Sequence, residues 1–254
     1  MTNRMYLSNQ ISSNSPSKFD LLSSSASASS NLESEKSCST ILTFPSTSSA
    51  SNSSSSFVLR QLRFCDRPAV EQICNESFPI QYPECWYDEV VSGSLTSTGL
   101  FDGPILAAII VSETKTIFEC NSEDQDILSE PINNSVVYIL SLAVAKPYRR
   151  QGLATRLLDN LFNTIVMAPP YPRAVFLHVL STNSPALSFY KMHGFQWHAS
   201  LVNYYRIGDE YGDGCTYVKY TNGSRPPITF YEILKMFGTT ICMPIKAVCK
   251  FLSF

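Results

Sequence analysis

Three observations predict a single α/β domain with a mixed central sheet flanked by helices. From residue 57 onward the chain alternates strand-like and helix-like hydrophobic periods. Residues 136–180 run strand, helix, strand over the length expected of a right-handed parallel crossover. Two aromatic-rich runs, FQWHASLVNYYRI and GCTYVKY, then finish the sheet as an antiparallel pair.

The elements follow in order. Residues 1–56 hold 22 serines and few large apolar side chains. Such a stretch buries too little surface to offset its ordering entropy and reads as a disordered tail. A phosphorylated regulatory arm is the functional alternative to a plain solvated extension. At Phe57, FVLRQLRF alternates like a strand, and RPAVEQICNESF carries apolar positions at helical spacing. Pro79 and Pro83 forbid a helix through Phe78–Tyr82, whereas Trp86–Val91 suits a short one ending at Gly93. A turn at FDGP leads into the buried strand ILAAIIV, and the polar segment 119–135 reads as a long hairpin loop, making the next strand, VVYILSLAV, antiparallel to it. A helix opens at Arg149–Ala154 with Leu153, Leu157, Leu158, Leu161 and Ile165 on one face, and APPYP breaks it. After the strand AVFLHVL, Ser184 is expected to cap a helix with Pro185 at its first position, stopped by Gly194. The resulting order is strand, two helices, three strands, helix, strand, helix, two strands, bounded at 57–222.

Composition removes several function classes. The formal net charge is −2 and the charged fraction 16%, so no basic field points to nucleic acid as a partner. Eight cysteines lie scattered without a CxxC pair or a secretory signal, and reduced thiols are expected. His178, His193 and His198 stand in no metal-ligand spacing with them, so no metal site is expected. MTNRMYLSNQ runs into serine-rich polar sequence rather than an apolar stretch, so neither a signal peptide nor an N-terminal membrane anchor is expected.

Chemistry concentrates at Tyr148–Ala154, YRRQGLA, between a strand and a helix start. Free backbone N–H groups and the helix dipole favour an anion there, Gly152 permits close backbone approach, and Arg149 and Arg150 add fixed positive charge. The set suits a pyrophosphate, although an ordinary basic turn has the same residues. This loop resembles the acetyl-CoA loop of the GNAT acetyltransferase superfamily, Arg/Gln-x-x-Gly-x-Gly/Ala, with Arg149 first and Gly152 and Ala154 as the small positions. STNSPALSFYKMHGF resembles the second half of that fold, in which Asn183 and Tyr190 border the cofactor. FPIQYP resembles the Phe-Pro-x-x-Tyr-Pro loop of N-terminal acetyltransferases that act on Met-hydrophobic starts, and YILSLAV, LHVLSTN, FYKMHGF, NYYRI and DGCTYVKYTNG resemble the Golgi-associated NatF type in particular, over about residues 57–227.

The resemblance implies a GNAT fold and direct acetyl transfer from acetyl-CoA to an α-amine, with the cofactor held by Leu142, Ala143, Val144, Arg149, Arg150, Gln151, Gly152, Leu153, Ala154, Asn183 and Tyr190. Tyr138 and His178 are the implied catalytic pair, His178 as base through a water, since an α-amine of pKa about 7.7–8.0 needs only modest help. A hydrogen-bonded strand tyrosine and a structural histidine are the bland alternatives. A backbone N–H of Leu142–Val144 would polarise the thioester carbonyl, and Tyr190 would meet the leaving thiolate. Phe78, Pro79 and Tyr82 would line an apolar cleft for an initiator Met, closed by Tyr204 and Tyr205. Gln81 stands where close relatives are expected to carry an acidic residue.

In RPPITFYEILKMFGTTICMPIKAVCKFLSF, within 223–254, Phe230, Ile233, Leu234 and Phe237 share one helical face, as do Ile241, Ile245, Val248 and Leu252. Lysines and Glu232 interrupt any span, so two amphipathic helices lying on a membrane surface are expected, or alternatively packed on the domain. Cys242 and Cys249 are possible acylation sites. The substrates implied are protein N-termini beginning Met-Leu, Met-Ile or Met-Phe, at the cytosolic face of the Golgi. A lysine, histone-lysine or small-amine acetyltransferase of the same fold, and a non-catalytic membrane adaptor, are the competing readings.

Overall fold

The computed structural model describes residues 57–129 and 134–227. The serine-rich stretch 1–56 and the amphipathic stretch from residue 228 onward lie outside the described residues.

Seven strands form one sheet: β1 (Val58–Gln61), β2 (Thr96–Asp102), β3 (Ile105–Thr116), β4 (Ser135–Val144), β5 (Ala174–Leu180), β6 (Gln196–Ile207) and β7 (Glu210–Tyr220). Their spatial order is β1-β2-β3-β4-β5-β7-β6, with only β4 and β5 parallel. The helices are α1 (Arg67–Ser77), α2 (Glu84–Ser92), α3 (Leu153–Leu161) and α4 (Ser184–Met192).

Each helix forms where its apolar stripe meets the sheet. In α1, Pro68 opens the first turn, and Val70, Ile73 and Cys74 are buried. In α2, Trp86, Tyr87, Val90 and Val91 are buried, and Gly93 ends the helix in the left-handed region at φ 87°. These two helices cover one sheet face with Ile109 and Val111. On the other face, Leu153, Leu157, Leu158 and Leu161 of α3 pack on Val137, Ile139 and Val175. Each such burial stabilises by roughly 1.5–3 kcal/mol. Segment 117–128 covers a third cluster around Tyr138 and Phe176.

Several boundaries differ from the sequence reading. The first strand stops at Gln61, because Arg60 forms a bidentate pair with Asp66 (2.7 and 2.8 Å) and Phe64–Asp66 turn as a 3-10 helix. The cap expected at Ser184 falls on Asn183, whose Oδ1 accepts from the Ala186 N–H at 3.2 Å. α3 ends at Leu161 and continues as a π-turn, Phe162–Val166. Segment 119–135, read as a plain hairpin loop, contains a 3-10 helix over Ser122–Ile127 that buries Asp124 and Ile127.

Two irregularities open the sheet. β4 pairs with β5 only through Val136–Ile139 against Ala174–Leu177, whereas β5 stays paired with β7 along its whole length. The β3–β4 register also shifts, Val111 facing Ser141 and Ser112 facing Ile139, so Leu140 forms a bulge. Beyond Ile139 the two parallel strands therefore splay, and alternate backbone N–H groups of Leu140–Val144 face the gap.

Candidate active site

A cavity of about 700 Å³ fills that gap. It runs from the turn before α3, past Tyr138 and His178, to the aromatic loop between α1 and α2.

At the first end, the chain leaves β4 through a 3-10 turn, Lys146–Tyr148, held by the Tyr148 hydroxyl donating to Asp102 Oδ2 at 3.1 Å. Arg149 Nε donates to Val144 O at 3.0 Å, tying the loop to the strand end. Gly152 takes φ +79° as the N-cap of α3, and a Cβ there would meet nothing within 4 Å. The space above the turn is open, and glycine is what lets the backbone reach it. The first intrahelical bond runs from Arg156 N–H to Gly152 O, so the N–H groups of Leu153, Ala154 and Thr155 lie ahead of it, free for an anion. Arg149, Arg150, Gly152, Leu153 and Ala154 line the cavity; Gln151 does not, and its side chain donates to Pro147 O at 3.1 Å.

The opposite wall is α4. Asn183 and Tyr190 both line the cavity, and burial pushes the Tyr190 phenol above its ordinary range, so it stays protonated. His193 fastens this wall to α3. A carbonyl only accepts, so its Nδ1–H donates to Phe189 O at 2.8 Å, and Nε2 accepts from the Thr155 hydroxyl at 3.1 Å.

At the centre, His178 is saturated. Its Nε2 lies 2.8 Å from Asp124 Oδ1; a carboxylate only accepts, so Nε2–H donates. Nδ1 is then the acceptor, and the hydroxyls of Tyr204 (2.7 Å) and Tyr138 (3.0 Å) converge on it. The side chains of His178 and Asp124 are 1% and 2% exposed. Tyr138 lies between Phe176, stacked at 4.7 Å, and the Lys115 ammonium, 5.1 Å from its ring centroid. Burial raises the Tyr138 and Tyr204 phenols well above their ordinary value, so both remain proton donors at neutral pH.

At the far end, Phe78, Pro79, Ile80, Tyr82 and Trp86 form an aromatic cleft, with Tyr82 stacked on Trp86 at 4.1 Å. Tyr205 joins it, whereas Tyr204, expected beside it, does not line the cavity. A register shift between Leu201 and Tyr205, with Asn203 at φ 53°, turns Tyr204 inward to His178. Gly214 permits this, since a Cβ there would crowd Tyr204 Cβ at 3.3 Å and Tyr205 Cε2 at 3.2 Å.

The fold and this geometry agree with comparisons to known proteins. A family model described as acetyltransferase (GNAT) family matches residues 67–195. The chain belongs to the GNAT acetyltransferase family. It is similar to N-alpha-acetyltransferase 60 of Danio rerio, 39% identical over 190 residues, covering 72% of this chain and 77% of the relative. It is also similar, at 27% identity over 199 residues, to the Arabidopsis thaliana histone acetyltransferase MCC1, covering 74% of this chain and 79% of that one. The solved structure of Arabidopsis thaliana NAA60 in complex with acetyl-CoA superposes with a TM-score of 0.61 and 27% identity, over 66% of this chain and all of that one.

As a GNAT enzyme the chain uses acetyl-CoA, and the cradle fits that molecule's pyrophosphate: an open glycine turn, unpaired helix N–H groups and two exposed arginines. Among the described residues no group of three or more His, Cys, Asp or Glu is placed to hold a metal ion. The sequence reading missed Asp124, whose only signal is an acidic residue in the turn SEDQDI, along with Thr155, Trp86 and Ser141.

Proposed function

We propose that this enzyme acetylates the α-amine of protein N-termini that begin with Met followed by a large apolar residue. The observation that carries the reading is the continuity of one cavity, from a phosphate cradle, past the Tyr138–His178 pair, to an apolar aromatic cleft. Two substrates meet at its waist.

Acetyl-CoA supplies the activated acetyl group and leaves as the free thiol. The chain's residues do the rest. The α-amine, with a pKa of about 7.7–8.0, is partly protonated at neutral pH and must lose a proton. His178 is too enclosed to meet the amine directly, so the Tyr138 hydroxyl is the link. The amine's proton passes to the Tyr138 oxygen as the Tyr138 proton moves to Nδ1. Asp124 holds the imidazolium so formed, and Tyr204 keeps the ring in register. Backbone N–H groups of Leu142–Val144 in the splayed gap stabilise developing negative charge on the acetyl oxygen. Tyr190, kept neutral by burial, donates to the departing sulfur.

Phe78, Pro79, Tyr82 and Tyr205 receive the first side chain, by apolar burial worth roughly 1.5–3 kcal/mol. Similarity to N-alpha-acetyltransferase 60, and the solved Arabidopsis thaliana NAA60 complex with a bisubstrate analogue, support an N-terminal acceptor. Residues 223–254 attach the enzyme peripherally to the cytosolic face of the Golgi membrane, a reading supported by their amphipathic pattern and the NatF resemblance. Among the described residues no helix is long and apolar enough to cross a membrane. A lysine acceptor, including histone lysine, is the second reading, favoured by the similarity to MCC1.

The test is kcat/KM across a peptide panel varying the first two residues. Met-Leu, Met-Ile and Met-Phe peptides are expected to exceed Ser- and Ala-starting ones by at least tenfold, about what one apolar side chain contributes. A flat profile would reject the proposed specificity.

A further inference from the structure

One end of the sheet gathers apolar side chains that the fold leaves outside. β3 ends at Thr116 opposite Ser135, the first residue of β4. Ala174, the first residue of β5, lies there too, between Val136 and Tyr220, the last residue of β7. Phe118, two residues beyond the end of β3, is 68% exposed, and Met167 and Tyr171, in the loop that enters β5, are 65% and 50% exposed. Glu119, beside Phe118, folds its carboxylate back to the Thr116 N–H and hydroxyl at 2.7 and 2.9 Å. Residues 164–172 carry no charge, and Pro169 and Pro170 are exposed as well. A surface without charge enters an apolar medium at little desolvation cost.

The end of the described chain is fastened to this same loop. The Thr221 N–H donates to Arg173 O at 2.9 Å, and its hydroxyl to Pro172 O at 2.5 Å. The Asn222 amide donates to Val166 O at 3.0 Å and to Pro172 O at 2.7 Å. Arg173 donates to Asn222 O at 2.6 Å, and the Ser224 hydroxyl to Arg173 O. Residue 228 follows four positions after Ser224, so it starts no more than about 14 Å from that anchor. An amphipathic segment laid on a membrane from there brings this end of the sheet to the lipid.

We propose that Phe118, Met167 and Tyr171 form a second contact with the lipid surface, dipping into the interface beside the point where residues 228–254 begin. This rests on the reading that the C-terminal segment attaches the enzyme to a membrane. Methionine brings a flexible apolar stem, and tyrosine an apolar ring with a polar tip that suits the headgroup boundary. From this rim β4 runs ten residues to the cofactor turn, about 30 Å at the rise of a strand. Interfacial elements sink only about 5–10 Å. The phosphate cradle therefore stays in water, and two contacts fix its orientation where one tether would let the domain swivel.

The experiment uses the full chain and phosphatidylcholine vesicles, whose neutral surface removes simple charge attraction. Tyr171→Trp is the reporter, read against the unmodified chain, whose tryptophans are Trp86 and Trp197. Vesicles brominated on the upper acyl chain are expected to quench the Tyr171→Trp emission beyond the quenching of the unmodified chain. A second variant combines Phe118→Ser, Met167→Ser and Tyr171→Asn, because asparagine tolerates the left-handed φ of 55° at that position and keeps the turn. Its vesicle partition coefficient is expected to fall about threefold to tenfold, as the loss of roughly 25–55 Å² of buried apolar area gives. Its acetylation of a soluble peptide without vesicles stays that of the unmodified chain, since none of the three residues lines the cavity. An unquenched reporter, or a triple variant that binds as well as the unmodified chain, would overturn the second contact and leave the C-terminal attachment standing. A reporter shielded from aqueous iodide before vesicles are added would also overturn it, and would assign the loop to residues 228–254 or to a second copy. Failure of the unmodified chain to bind vesicles would overturn both.

Discussion

Asp124 lies one hydrogen bond behind His178, the proposed base, and 54 positions from it in the chain, yet it decides which ring nitrogen carries the proton. With Nε2–H committed to its carboxylate, Nδ1 keeps its lone pair for the tyrosines. His178→Ala and Tyr138→Phe are each expected to lower kcat by about 10²–10⁴ while leaving the acetyl-CoA Kd nearly unchanged, because neither touches the phosphate cradle. Asp124→Asn keeps an acceptor but removes the charge that stabilises the imidazolium, so kcat falls with little loss of stability. Asp124→Ala also strands a buried N–H, at a cost of about 1–3 kcal/mol. Steady-state kinetics, acetyl-CoA titration and urea unfolding of these variants check the pattern. Wild-type turnover in Tyr138→Phe and His178→Ala would remove the pair from the mechanism.

At the scale of elements, what hydrophobic period can encode was legible. The apolar face of α3, the parallel crossover from β4 to β5 and the final antiparallel pair all rest on side-chain spacing within one segment. The turn before α3 was legible too, because its features are local: glycine, arginines and a helix start stand together in YRRQGLA. What period cannot encode was not. Asp124 sits in a polar 3-10 turn, and its importance arises from a contact made only after the sheet has formed. Tyr204 and Tyr205 are neighbours in sequence, and it is the irregular register of β6 that sends one to His178 and the other to the cavity. The cap shifted by one residue for a related reason. Asn and Ser both cap well, and backbone geometry at Asn183 chose between them.

Across the whole molecule, buried and half-buried phenols stand in and behind the cavity wall. Tyr82, Tyr138, Tyr190, Tyr204 and Tyr205 all have their ionisation pushed upward, in each case chiefly by burial. The unfolded chain releases these protons above the ordinary value of 10, whereas the fold retains them. The stability this provides is fully present below about pH 10 and falls as pH rises toward the raised folded values, each phenol contributing up to about 1.4 kcal/mol per pH unit. Urea midpoints should therefore hold steady between pH 7 and 9 and drop steeply above 10; a flat profile to pH 11 would mean that these rings are solvated. The same cavity underlies the central claim, that acetyl passes to an α-amine delivered through the Phe78–Tyr82 cleft. The most direct measurement uses one peptide beginning Met-Leu with a free α-amine and an internal lysine, incubated with enzyme and acetyl-CoA, with the modified nitrogen located by tandem mass spectrometry. Acetyl on the α-amine, with the lysine untouched, is the predicted result. Acetyl on the lysine side chain at a comparable or greater rate would contradict it.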